Sequence, residues 1–125
     1  MNSKFTQIVR ILLGLILITF GVNKIYSFIP LPQPPPQAAD FMASLADTGY
    51  ILTFVALFEI VIGFMLLFRM WVPFVLLLLV PLSLNILLFH LFLDIPAMGT
   101  ALLVVILNGI LLYKHRQKYR PLFIT

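Results

Sequence analysis

Residues 70–93 run for 24 positions without a formal charge, and residues 95–113 for another 19. A helix needs about 20 residues to cross roughly 30 Å of hydrocarbon. Each run therefore spans a bilayer without burying a charge. Long unbroken apolar runs also exclude a membrane β-barrel, whose strands are short and alternate in polarity. The rest of the composition agrees. The chain is 62% hydrophobic and 10% charged, whereas soluble domains carry about 25% charged residues. A chain this small cannot hide so much apolar surface inside itself, so the excess faces lipid.

Two further segments cross only at a cost. Between Arg10 and Lys24 lie 13 residues, about 20 Å of helix. A full crossing there takes in Arg10, Lys24 or both. Between Asp47 and Glu59 lie 11 residues, and between Glu59 and Arg69 only 9. That segment spans only with Glu59 near its centre. The expected architecture is an all-α, four-helix transmembrane bundle forming a single domain. Its spans fall at about residues 5–28, 49–68, 71–93 and 95–113. Positive residues followed by an apolar run also suit a signal peptide, but no small-residue cleavage site follows, so the first segment reads as an uncleaved span.

Lys and Arg set the orientation. Four spans put both termini and the turn at Arg69 on one side. That side holds Lys4, Arg10, Arg69, Lys114, Arg116, Lys118 and Arg120, against Lys24 alone on the other. The expectation is that both termini are cytoplasmic. Asp40, Asp47 and Asp94 then fall outside. The formal charge of +4 reflects this topology rather than nucleic-acid binding.

The first outer loop contains Pro30, Pro32, Pro34, Pro35 and Pro36, which force an extended path. A short helix over residues 38–46 follows and reads as interfacial. Asp47 or Thr48 suits the cap of the second span. The loop serves either as a lid over an outward pocket or as a plain spacer. The turn around Arg69 and Met70 is tight, with Trp71 suited to the interface and Pro73 to a helix start. Pro81 removes a backbone hydrogen bond inside span three, where Ser83 is placed to compensate in part.

Arg10, Gly14, Leu17, Gly21 and Lys24 share one face of span one. The glycines there suit close helix packing. A lone carboxylate near mid-bilayer, Glu59, must be protonated, paired or set in a polar cavity. Arg10 and Lys24 are its candidate partners, and Gly63 shares its face. Glu59 is either a proton-handling or ligand-binding group, or half of a register-setting ion pair. Asn85 and Asn108 read as interhelical hydrogen bonders. His90 either joins Lys24 and Asn23 around an outward pocket or meets water and headgroups. The intramembrane polar set is thus Glu59, Lys24, Arg10, Asn23, Asn85 and His90.

The chain has no cysteine, which removes thiolate metal sites and thiol–disulfide chemistry on this chain. His90 and His115 belong to opposite sides, so bis-His haem within one chain is excluded. No metal-ligand spacing, phosphate loop, dinucleotide glycine motif or nucleophile elbow occurs.

Several segments resemble the DoxX family of small bacterial membrane proteins. They are RILLG from Arg10, FGVNK ending at Lys24, the proline-rich stretch, EIVIG from Glu59, NILLFHLFL from Asn85, and YRPL from Tyr119. The resemblance implies a four-helix membrane bundle. It also implies, from some members, a membrane subunit of a quinone-linked oxidoreductase, and from others a place in oxidative-stress complexes. Quinone is then the cofactor to expect, and a redox protein or a second copy the partner beside the lipid bilayer. The competing readings are a non-catalytic membrane scaffold and a small proton-coupled transporter with Glu59 as its carboxylate.

Overall fold

The computed structural model describes residues 3–26 and 33–124. Residues 27 and 28 of the expected first span, and Pro30 and Pro32 of the proline tract, lie outside the described residues. Six α-helices follow one another: α1 Lys4–Tyr26, α2 Pro36–Asp47, α3 Ile51–Leu67, α4 Val72–Leu93, α5 Met98–Lys114 and α6 Arg116–Tyr119. Short 3-10 turns cover Ile95–Ala97 and Arg120–Phe123. The four long apolar helices α1, α3, α4 and α5 form the bundle. Three stretches, Lys4–Tyr26, Val72–Leu93 and Ile95–Lys114, are each long and apolar enough to cross a membrane. The 17 residues of α3 give about 25 Å of helix. This helix meets the same standard only together with α2, from which it turns by 92°. The end holding both chain termini and the Arg69 turn is called lower here, and the opposite end upper.

Local signals explain the helix ends. Ser3 Oγ accepts the Thr6 N–H at 3.1 Å, capping α1. Neither Asp47 nor Thr48 is the N-cap of α3, which is Tyr50 without a side-chain cap, but Thr48 bonds the first N–H of the helix from two residues ahead of the cap. Its Oγ1 accepts from Ile51 N–H at 3.2 Å and donates to Leu45 O at 2.6 Å. At the lower end of α3, Met70 N–H bonds Met65 O and Arg69 N–H bonds Leu66 O. That is the double closure of a Schellman turn. Glycine usually holds its left-handed position, but here Arg69 does, at φ 57°, and Trp71 repeats the conformation at φ 51°. Both are costly for residues with a Cβ. They fold the α3–α4 connection back within four residues.

The most extensive packing is between α1 and α3, and glycines make it possible. A Cβ on Gly63 would stand 2.8 Å from Gly14 O and 2.6 Å from Ile18 Cγ1. A Cβ on Gly21 would stand 2.9 Å from Ala56 O. Backbone thus meets backbone at two levels, the small-residue packing that drives helix association in lipid. The α4–α5 pair is the second large contact, and α1–α5 and α3–α4 contacts close the bundle.

The lower half is filled with apolar side chains. Leu13, Leu17, Ile62, Leu66, Val75, Leu76, Leu79 and Leu111 are all within 2% of full burial. One polar pair crosses this packing, Asn108 Nδ2–H donating to Ser83 Oγ at 3.3 Å, as interhelical bonding at Asn108 requires. Above it, Ala97 of the 3-10 turn and Gly99 and Ala101 of α5 line open space with small residues. The outward faces carry Ile8, Phe54, Val61, Phe74 and Ile106, each more than half exposed, where lipid replaces a protein partner.

Two expectations for α4 are corrected. Asn85 does not bond a neighbouring helix. It sits on the exposed face, and its amide donates to Pro81 O on its own helix at 2.9 Å. No other helix backs that face, so its own carbonyl is the acceptor within reach. Ser83 donates to Val80 O at 3.1 Å, not to the Leu77 carbonyl that Pro81 deprives of its usual donor.

Two predictions follow from this packing. Gly63→Ala forces α1 and α3 apart and lowers stability by about 1–3 kcal/mol, while Gly109→Ala, with open space at its Cβ, is neutral or mildly stabilising. Thermal unfolding in detergent separates the two. At the lower end, Tyr119 donates its hydroxyl to Pro73 O at 2.7 Å, and burial pushes its pKa from 10.0 up to about 12. A phenol whose pKa is raised by folding stabilises the docked tail below pH 10 and loses that contribution between pH 10 and 12. Tyr119→Phe removes this alkaline step from proteolytic protection of the tail.

Candidate functional site

The α1–α3 contact aligns the two helices so that each charge on α1 meets a specific part of α3. At the lower level the Arg10 guanidinium donates from Nη1 to Leu66 O and, at 3.0 Å, to Leu67 O. These are carbonyls of the last turn of α3, at the negative end of the helix dipole, and Leu66 O also accepts the Arg69 N–H. Arg10 therefore closes the C-terminus of α3. It is not a partner of Glu59, as the sequence allowed, because the two sit about two turns apart along α3.

At the upper level Lys24 Nζ reaches Glu59 Oε1 at 2.7 Å. Glu59 is 2% exposed, whereas the Lys24 side chain keeps 29% of its surface. The ammonium stands in the last turn of α1, where a cation also complements the helix dipole. Its aliphatic stem runs down to the carboxylate. Gly21, one turn below Lys24, is what lets Glu59 approach: a Cβ there would press within 3.3 Å of Glu59 Cβ. The pair lies level with the upper third of α1, so Glu59, central in α3, is well above the middle of α1. Asn23 is buried beside it on α1.

Above the apolar core the bundle opens into a cleft of about 590 Å³. Its walls come from Ile16, Leu17 and Phe20 of α1, Ile86 and Phe89 of α4, and Ala101 and Val104 of α5. Three titratable side chains line it: Glu59, His90 and Asp94. Met42 of α2 and Pro34 border it, and Phe41 packs on Phe89 at 5.5 Å between ring centroids. The short helix thus lies over the cleft mouth, the position expected of a lid.

His90 is half-buried. Its Nδ1 bonds the Ile86 carbonyl at 2.8 Å. A carbonyl only accepts, so Nδ1 carries the proton, and in the neutral ring Nε2 is left with its lone pair. Phe89 packs edge-on against the ring at 5.1 Å and holds its plane. Asp94, 8% exposed, follows one turn later, at the upper end of α4, with its N–H on His90 O.

Of the six sequence candidates, the structure brings Glu59 and Lys24 into contact and sets His90 in the same cleft as Glu59. Lys24 pairs with Glu59 from α1 and Asn23 is buried on the same helix, but neither lines the cleft. Arg10 and Asn85 lie elsewhere. Asp94 was read only as a charge marking the end of span three. Its spacing of four from His90 was the available signal, since it puts both side chains on one helix face.

Together these features define a small multi-pass helical membrane protein with a largely apolar cleft in its upper half. The DoxX family model matches residues 5–91, covering α1 to most of α4, and the chain belongs to the DoxX family. The matched region contains all six candidates but not Asp94, α5 or the YRPL tail. No curated protein and no solved structure matches the chain.

The ion pair generates a prediction. Lys24→Met leaves a buried carboxylate without its cation and costs on the order of 3 kcal/mol. Lys24→Met with Glu59→Gln recovers most of that loss. A double-mutant cycle on thermal stability measures the coupling, and additive losses would show that the pair does not hold the bundle.

Proposed function

We propose that this chain is a membrane subunit of a quinone-linked oxidoreductase and receives the quinone head group in the upper cleft. The observation that supports the reading is the cleft itself, with apolar walls, three titratable groups and a mouth in the membrane-embedded half of a bundle. Its volume falls within the range of small-molecule sites, about 300–1,000 Å³. Its apolar lining matches the ring and tail of a lipid-soluble cofactor. A bound quinone supplies a two-electron, two-proton acceptor. His90 Nε2 and the Asp94 carboxylate would accept hydrogen bonds at the head group, and Glu59, fixed by Lys24, would set the charge beside it. The chain lacks cysteine, so electrons would come from a partner's cofactor rather than from a thiol relay here.

The same reading assigns the lower end to the cytoplasmic side of a bacterial inner membrane, supported by seven of the eight Lys and Arg residues. The absence of native cysteine makes this easy to test. Ser44→Cys in α2 should react with an impermeant thiol reagent in intact cells, and Lys118→Cys only after permeabilisation. The reverse pattern overturns the orientation.

The central test is native mass spectrometry from mild detergent, on protein purified alone and with co-purifying partners. A retained quinone, lost in His90→Ala, is the expected result. Protein that neither retains nor takes up quinone in any of these states would sink the proposal.

A further inference from the structure

The titratable side chains that line the cleft offer it acceptors. His90 spends its only neutral-ring N–H on Ile86 O, so it offers the cleft an acceptor at Nε2. Asp94 adds a carboxylate, and among the described residues no cation pairs with it within ion-pair distance. Glu59 is a second carboxylate, its cation supplied by Lys24 from outside the cleft lining. The Lys24 side chain itself is not part of the cleft lining. Among the described lining residues, Thr100 alone carries a hydroxyl, which donates as well as accepts. At the mouth, the Ala97 N–H is already spent on Asp94 O and the Met98 N–H on Ile95 O.

We infer that the cleft selects the reduced, hydroxyl-bearing form of its ligand, a hydroquinone, over the quinone. The inference rests on the proposed quinone site and goes beyond it by assigning the redox form. A quinone offers carbonyl oxygens, which only accept, and would leave His90 Nε2 and the Asp94 carboxylate facing other acceptors. A hydroquinone offers two hydroxyls, which His90 Nε2 and Asp94 accept. Buried polar groups left unpaired by the wrong partner discriminate far more strongly than a change in apolar fit. Tighter binding of the reduced form also makes the bound couple easier to reduce than the free one, by linkage. That sense suits a subunit at which electrons are delivered to quinone.

The test compares three ligands of matched shape on the intact wild-type protein in detergent. These are a short-chain benzoquinone, its hydroquinone kept reduced by excess dithionite, and the hydroquinone dimethyl ether, which has no donor. Calorimetry or native mass spectrometry reads the affinities without any turnover. The hydroquinone should bind at least roughly tenfold more tightly than either of the others. Asp94→Asn, which adds an amide donor, should narrow or invert that ratio. Equal or tighter quinone binding overturns the inference and leaves the quinone site standing. If all three ligands fail to bind, both fall. If the dimethyl ether binds as well as the hydroquinone, shape governs the site and the donor argument is wrong.

Discussion

The backbone contact between α1 and α3 is the constraint on which the rest of the molecule depends. In lipid, apolar side chains gain little by leaving the hydrocarbon for each other. Helices associate where their backbones come close enough for dense packing. Gly14 meets Gly63, and Gly21 meets Ala56, so the two helices are joined at two levels about ten ångströms apart along α1. This double contact sets their axial offset. The offset in turn carries Arg10 to the last turn of α3 and Lys24 to Glu59. Both charges that a full-length α1 must bring toward the membrane are absorbed by the same neighbour.

The two absorptions differ in chemistry. Arg10 meets carbonyl oxygens, its Nη1 donating to two of them at a helix end that has acceptors to spare. Lys24 meets a carboxylate, and the extra negative charge is held at the edge of the cleft. The lower contact closes a helix end beneath which the chain turns sharply through Arg69 and Trp71. The upper contact leaves a charged group beside open space. The division follows residue size in α5 and the turn before it: Leu107 and Leu111 fill the lower half, while Ala97 of the turn and Gly99 and Ala101 of α5 leave the upper half unfilled.

The polar groups therefore fall into tiers. The Ser83–Asn108 bond ties α4 to α5 at the top of the apolar core. Glu59, His90 and Asp94 surround the cleft above it. Helix α2 lies over the mouth through Phe41 and Phe89. A chain of this length thus combines a packed apolar half with an open half lined by titratable groups, and it belongs to the DoxX family.

Much of this was legible in the residues alone. The charges Arg69, Asp94 and Lys114 delimit two apolar runs, and α4 and α5 begin and end within a few residues of them, because burying a formal charge in hydrocarbon is costly. The shared face of Arg10, Gly14, Gly21 and Lys24 follows from helical periodicity, and so does the need for Glu59 to find a partner. Periodicity acts within one helix, however, and is silent about the offset between two. Only the tertiary structure decided that Lys24 rather than Arg10 reaches Glu59, because the glycine contacts place Arg10 about two turns away. It also decided that Asn85 faces outward, since which side of α4 is covered depends on where α5 packs. Asp94 entered the site for the same reason: a charge at a helix end looks like a boundary marker until the neighbouring helices enclose it.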